Sequence, residues 1–378
     1  MKSRAVTLAG SLIALVLMAR LGFGAGGYAS FQPGPRGLCL VRKPSITWSI
    51  QGTGGAVVTG CEMSLNGQPV RAAYDKLAGM VRFTPSEPLA PGDYAVSCTV
   101  ELNGHYRVSK EWTFRVTDSA LDRLPAPGQG QSEAMARANE LRALLGLPPF
   151  APCPILCAAA VSHASFMKTN RVFGHLQQQG LPGFIGAKPL DRAQAFGHQG
   201  GVWEDVAMAQ ESPSGFVNQL FHAPYHRIPF LQPGTAPIGV GFDGKFACIN
   251  FGASVAEGTV VSPADGQTGV PCSWDGIETP SPLRIHNAKG PVGYGIMLSC
   301  FTAANDRLAC EQASLKCGDQ DVPFYLNNPE NDAQLNNTVL IMPVEPLKPN
   351  TAYRVQVKAR TASGARIEKA WAFTTGPK

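Results

Sequence analysis

The sequence predicts a multidomain α+β chain, with a central α-β-α sandwich between two all-β sandwiches. Three observations carry this prediction. A β-hairpin pattern recurs near the two ends, the periodicity between the copies turns helical, and the composition is rich in turn formers but poor in charge. At 378 residues and 44% apolar content, the chain has room for two or three domains with a core in each. Charged residues make up 16% against 41 Gly and 31 Pro, which suits sandwiches and loops more than helical bundles.

The first 29 residues read as a signal peptide. Lys2 and Arg4 form a positive start, Leu12 to Ala19 a short apolar run, and Gly27 and Ala29 the small residues before a cleavage point. The run is too short, and Arg20 too close, for a transmembrane helix. A mature chain without a transmembrane helix, in the periplasm or outside the cell, is expected; an uncleaved anchor is the rival. Lys2, Arg4 and Arg20 are the only charges in this segment, so the net charge of +5 falls to +2 once they are removed. No basic run with interleaved aromatics remains, which excludes a nucleic-acid footprint.

Ten cysteines fit an oxidising compartment and predict disulfides. They fall as Cys39, Cys61 and Cys98, then Cys153, Cys157 and Cys248, then Cys272, Cys300, Cys310 and Cys317. Pairing within groups leaves one over in each of the first two, so either two thiols stay free or a bridge, with Cys39 as donor, crosses between them. Cys153 and Cys157 could also hold zinc, but no second pair of similar spacing lies nearby, which favours disulfides.

The repeat sets the outer domains. TPSEPLAPGDY (84–94) and MPVEPLKPNTAY (342–353) each precede a strand with period-two alternation. A Gly-containing turn, at Asn103-Gly104 or Ser363-Gly364, then returns the chain to Trp112-Thr113-Phe114 or Trp371-Ala372-Phe373. Two such copies resemble bacterial immunoglobulin-like modules and imply two all-β immunoglobulin-like sandwiches, at 30–120 and 256–378.

Between them, residues 125–255 change period. Ser132 to Leu145 places Met135, Ala138, Leu141 and Leu145 on one helical face, stopped by Gly146 and Pro148. A second helix starts near Pro154, ends by Asn170 and carries Ile155, Ala158, Val161, Ala164, Phe166 and Met167. A third covers Phe216 to Phe221, and Pro237 to Phe251 reads as a hairpin turning at Asp243-Gly244. Two helices, a strand, a helix and a hairpin suggest helices layered on an antiparallel sheet.

Six short motifs then occur in order: His163 to Met167, Phe173-Gly174-His175, Arg192 to Gly197, Trp203 to Ala207, Pro224-Tyr225-His226-Arg227 and Ile238 to Gly241. Together they resemble the CAP superfamily (cysteine-rich secretory, antigen 5 and pathogenesis-related 1 proteins) in its bacterial secreted branch, over about residues 132 to 253. The C-terminal module, starting VVSPADGQTGVP, is similar to the Ig-like domain that often follows such domains. The resemblance implies an α-β-α sandwich with a cavity lined by His175, His226 and Glu204. It also implies that the two imidazoles can hold a divalent metal such as zinc, with Glu204 as the base if the protein is an enzyme.

Departures from the family pattern argue against catalysis. Residues 176 to 203 contain no Glu where relatives with four cavity residues carry a second one. Trp203 and Tyr225 stand where glycines are usual, and Asp205 where an asparagine is, so Trp203 and Tyr225 either form a binding platform or fill the cleft. His163 reads as a packing residue, His198 and His222 as surface or loop residues. Arg192 and Arg227 read as partners of carboxylates or carbonyl caps, and Glu204 as a hydrogen-bond hub. The expectation is a non-catalytic secreted or periplasmic binding or adhesion protein with an extracellular or cell-envelope ligand. The alternative is a metal-dependent hydrolase acting on peptide or cell-envelope material, and a small sterol-like ligand is a third option.

Overall fold

Two stacked ring pairs mark the repeat in three dimensions. Tyr94 lies on Phe114 at 5.3 Å between centroids and Tyr353 on Phe373 at 5.6 Å, both nearly parallel. The tyrosine hydroxyls act locally, as at a tyrosine corner: Tyr94 Oη donates to the Ala90 carbonyl at 2.9 Å, and Tyr353 Oη accepts from the Lys348 N–H at 2.8 Å. The computed structural model describes residues 17–20, 27–30, 33–208 and 212–377. These form two compact units, an N-terminal one of 17–127 with Pro154–Val202 and a C-terminal one of Gly128–Cys153 with 203–377. The chain is mixed α/β, with β-sandwich regions flanking the helical segment in sequence.

In the N-terminal unit, a five-stranded sheet runs in the order Gly37–Val41, Tyr106–Leu121, Gly92–Leu102, Val58–Leu65, Gln68–Val70. Alternate residues Val96, Cys98, Val100, Trp112, Phe114 and Val116 are buried, as the period-two pattern requires. A second sheet contributes Ile46, Trp48, Ile50 and Val81 to the buried set. Most of the expected signal peptide lies outside the described residues; within it, Leu17–Arg20 and Gly27–Ser30 pair as antiparallel strands.

This unit also holds helices α2 (Pro154–Asn170) and α3 (Pro189–Ala195). The expected bounds of α2 hold, and Ala164, Phe166 and Met167 are buried together with Leu156, Cys157, Ala159, Ala160 and His163, whereas Val161 is exposed. The helix is apolar nearly all round, so composition alone did not fix its rotation. The sequence reading missed α3, a seven-residue helix with Pro189 in its first turn and the Asp191 carboxylate accepting from the Lys188 N–H at 2.9 Å.

The C-terminal unit carries α1 (Gln129–Leu144), α4 (Pro213–His222) and α5 (Pro224–Arg227). Its four-stranded sheet has the order Ala151–Pro152, Pro237–Asp243, Phe246–Gly252, Val202–Met208, and the expected hairpin turns through Gly244 at φ +59°. The C-terminal sandwich repeats the N-terminal order: Gln267–Val270 pairs parallel to Arg366–Thr375, as Gly37–Val41 does to Tyr106–Leu121. A second apolar cluster joins this sandwich to the preceding segment, with Leu231 and half-buried Tyr225, Ile228 and Leu147 packed on Trp274, Leu283, Met297 and Leu340. The C-terminal sandwich is therefore fused to that segment by a shared core.

Candidate functional site

The N-terminal unit holds the first histidines. His163, on the inner face of α2, is fully buried; its Nε2 lies 2.8 Å from the Gly174 carbonyl and its Nδ1 3.3 Å from Gln177 Nε2. Its packing role is as read from sequence, and it anchors the turn that carries His175. His175 itself is exposed, between exposed Phe173 and Leu176. His198, read as a surface or loop residue, lies in a loop but is buried, and desolvation lowers its pKa. Arg192 is buried and donates to the carbonyls of Gly186 and Ala187.

The C-terminal unit gathers the rest. Burial does not alternate along strand Val202–Met208: Trp203 is 44% exposed, whereas Asp205, two residues on and on the same face, is 4% exposed. Glu204 is half-buried, its Oε2 accepting from the Cys248 thiol at 3.4 Å. At the start of α5, His226 presents Nδ1 to Asp205 Oδ1 at 3.4 Å and to Glu278 Oε1 at 3.7 Å. Glu278 Oε1 also accepts the His226 N–H at 3.0 Å. The imidazole is thus flanked by two carboxylates, one from the C-terminal module.

Both acids are uncomfortable where they sit. Asp205 Oδ2 and Glu278 Oε2 are buried without a hydrogen-bond partner. Burial, then the charges of Glu278 and Glu204, raise the Asp205 pKa well above the usual carboxylate range. Burial likewise raises Glu278 to about 8, against the opposing pull of the Tyr225 and His226 N–H groups and Arg227. The sequence reading noted Asp205 only as added charge and missed Glu278. Glu278 lies 52 residues beyond His226 in an ordinary loop, and no local pattern signals it.

The neighbours of His226 tie this segment to the C-terminal sandwich. Tyr225 donates its hydroxyl to Asp332 and accepts from Arg284 at 2.8 Å, and Arg284 also reaches Asp332 at 3.0 Å. Arg227 is fully buried, donating to the carbonyls of Phe221 at 2.6 Å, Gly295 at 2.7 Å and His222 at 3.2 Å. Its guanidinium carbon stands 4.3 Å from the centre of the Tyr294 ring. Carbonyl capping is one of the two roles read for it. His222, expected on the surface or in a loop, instead ends α4 and is half-buried, with Nδ1 3.1 Å from Tyr294 Oη. Burial, then Arg227 and Arg137, lower its pKa to about 4. A second buried cation, Arg142, escaped the sequence reading; it satisfies the carbonyls of Pro148, Phe230, Gln232 and Gly234.

Among the described residues, no group of three or more His, Cys, Asp or Glu side chains is arranged to hold a metal ion. None of the helices there is long and apolar enough to cross a membrane. The expected bridges are not formed among the described residues Cys39, Cys61, Cys98, Cys153, Cys272, Cys300, Cys310 and Cys317.

Comparison with known proteins places the segment around His226. Residues 135–247 match the CAP model, the cysteine-rich secretory protein family. Among solved structures, the chain is similar to an extracellular protein containing a SCP domain from Bacillus anthracis (16% identity, 67% of this chain and 99% of that one, TM-score 0.29). It is also similar to a cysteine-rich secretory protein from Staphylococcus aureus (11% identity, 60% and 83%, TM-score 0.21). Fibronectin(III)-like modules from Clostridium thermocellum align at 6% identity over 92% of this chain and 94% of theirs, TM-score 0.19. No curated protein matches the chain.

Proposed function

We propose that this chain, which carries a CAP domain over residues 135–247, is a secreted or periplasmic binding or adhesion protein without catalytic activity. The observation that carries the reading is the use to which the polar residues of the HAPYHR segment are put. His226 Nδ1 faces two buried carboxylates, and Tyr225, His222 and Arg227 reach Asp332, Tyr294 and Gly295 of the C-terminal sandwich. A working hydrolytic site needs groups that meet substrate, whereas these hold a module in place.

The second reading, a metal-dependent hydrolase, is favoured by the same carboxylates in one respect. A carboxylate at Nδ1 fixes the imidazole tautomer with Nε2 as the metal-facing lone pair. The donor chemistry fits zinc in part: the family resemblance implies two imidazole ligands, His175 and His226, short of the three protein ligands of a catalytic zinc site. A bound zinc ion would supply a Lewis acid and an acidified water there.

Zinc-supplemented protein, incubated with fluorescent casein and with purified peptidoglycan, is expected to release product at background rate, equally in Glu204→Gln and His226→Ala. Turnover present in the wild type and lost in both variants would establish the hydrolase. Calorimetric titration of chelator-stripped protein with zinc, repeated on His175→Ala and His226→Ala, separates the metal question; stoichiometric binding lost in both assigns the ion to the two imidazoles. For the compartment, mass spectrometry of exported, non-reduced protein is expected to find no more than two free thiols. Four or more would refute export to an oxidising space.

A further inference from the structure

One groove in the N-terminal unit is lined by none of the histidines discussed above. It encloses about 1010 Å³ between the outer face of the five-stranded sheet and the segment Phe184 to Gln194. We propose that this groove binds a neutral oligosaccharide strand.

Its floor is a row of cross-strand neighbours. Ser64 and Glu111 both stand opposite Ser97, and Thr113 stands opposite Ala95. These side chains point away from the core, since Val96, Trp112 and Phe114 take the buried positions. The floor is therefore low, hydroxyl-rich and carboxylate-bearing. Phe184 and Asp191 stand on the opposite wall.

The wall is held in place by buried polar groups. Gln177, 3% exposed, accepts from the Ile185 N–H at 3.0 Å through its side chain, while its own N–H donates to the Ala187 carbonyl at 3.0 Å. Arg192, 1% exposed, donates to the Gly186 and Ala187 carbonyls at 3.5 and 3.3 Å. On the sheet side, the Asn66-Gly67 turn is locked to Ala95 by two bonds of 2.8 Å. Such a cleft is preformed, so a ligand loses little free energy to ordering it. Its volume is at the upper end of the roughly 300–1,000 Å³ usual for ligand sites.

The lining chemistry selects the ligand. Sugar hydroxyls both donate and accept, matching Ser and Thr hydroxyls and the acceptor-only carboxylates of Glu111 and Asp191. Phe184 offers an apolar ring against which the C–H face of a pyranose can lie. A peptide strand adds to a sheet through an unpaired edge. Here the floor is centred on Gly92–Leu102, which is paired on both sides, so its main-chain groups are already engaged. Two carboxylates, Glu111 and Asp191, outweigh Arg36 in the lining and disfavour a phosphate backbone or a polyanionic glycan.

The test is calorimetric titration of the full chain with chitohexaose and with cellohexaose. At least one is expected to bind with a Kd of about 1 mM or tighter. Ser97→Trp, which fills the floor, should weaken binding at least tenfold, and Phe184→Ala severalfold, with melting transitions like the wild type. No binding of either sugar overturns the proposal, as does binding that neither substitution changes. Binding of a Ser-Val heptapeptide in place of the sugars, blocked by Ser97→Trp, overturns it in favour of a peptide groove.

Discussion

Replacing Arg227 by methionine is expected to destabilise the C-terminal unit by about 3–5 kcal/mol. The side chain is fully buried and serves the Phe221, His222 and Gly295 carbonyls and the Ser262 hydroxyl at once. Methionine keeps most of the volume but leaves those acceptors without a donor, and each buried orphan costs about 1–3 kcal/mol. Not all of that is lost, because the charge no longer has to be desolvated; burial already lowers the Arg227 pKa. Lysine would retain the charge without the planar fork and should fall between the two. With two compact units, urea unfolding need not be two-state. The transition belonging to the C-terminal unit should move while the other stays. A shift worth less than about 1 kcal/mol would mean that the fused core of Leu231, Trp274, Leu283 and Leu340 holds the sandwich alone.

What the sequence revealed depended on whether the signal was local. The two sandwich modules were legible because alternation, tyrosine and turn all lie within one hairpin, and the stacked pairs Tyr94–Phe114 and Tyr353–Phe373 realise the repeat. Helices α1, α2 and α4 were legible from periodicity and caps, such as Ser212 accepting from the Gly215 N–H. The rotation of α2 was not, because apolar residues surround it, and α3 was too short to show a period. His175 and His226 were singled out by motif. Their surroundings were not, since Glu278, Asp332 and Tyr294 come from another module and only folding brings them to His226, Tyr225 and His222. Disulfides were expected from cysteine count alone, a compositional argument that carries no geometry.

Raising the pH is expected to weaken the protein through the pair beside His226. Glu278 rises from its usual 4.5 to about 8, so between these values the native state holds a proton that the unfolded state has released. Stability from this group is present in full below about pH 4.5, declines as pH rises toward 8 and is then lost, by at most about 5 kcal/mol. Asp205, raised in the same direction, shares the effect. The groups facing Glu278 are His226, Arg227, Asp332 and Asp205; Arg227 opposes the rise and Asp332 supports it. In Glu278→Gln the amide oxygen still accepts the His226 N–H, but no charge develops, and Asp205 loses a repelling neighbour. The variant should match the wild type near pH 5 and exceed it by several kcal/mol at pH 8, measured as urea midpoints on chelator-treated protein. Parallel curves for the two proteins would show that Glu278 is solvated in solution. A flattened curve would show instead that a residue outside the CAP segment sets the charge beside its histidine. The C-terminal sandwich then belongs to the site, and a CAP segment cut away from it would lose the carboxylate that holds the His226 N–H.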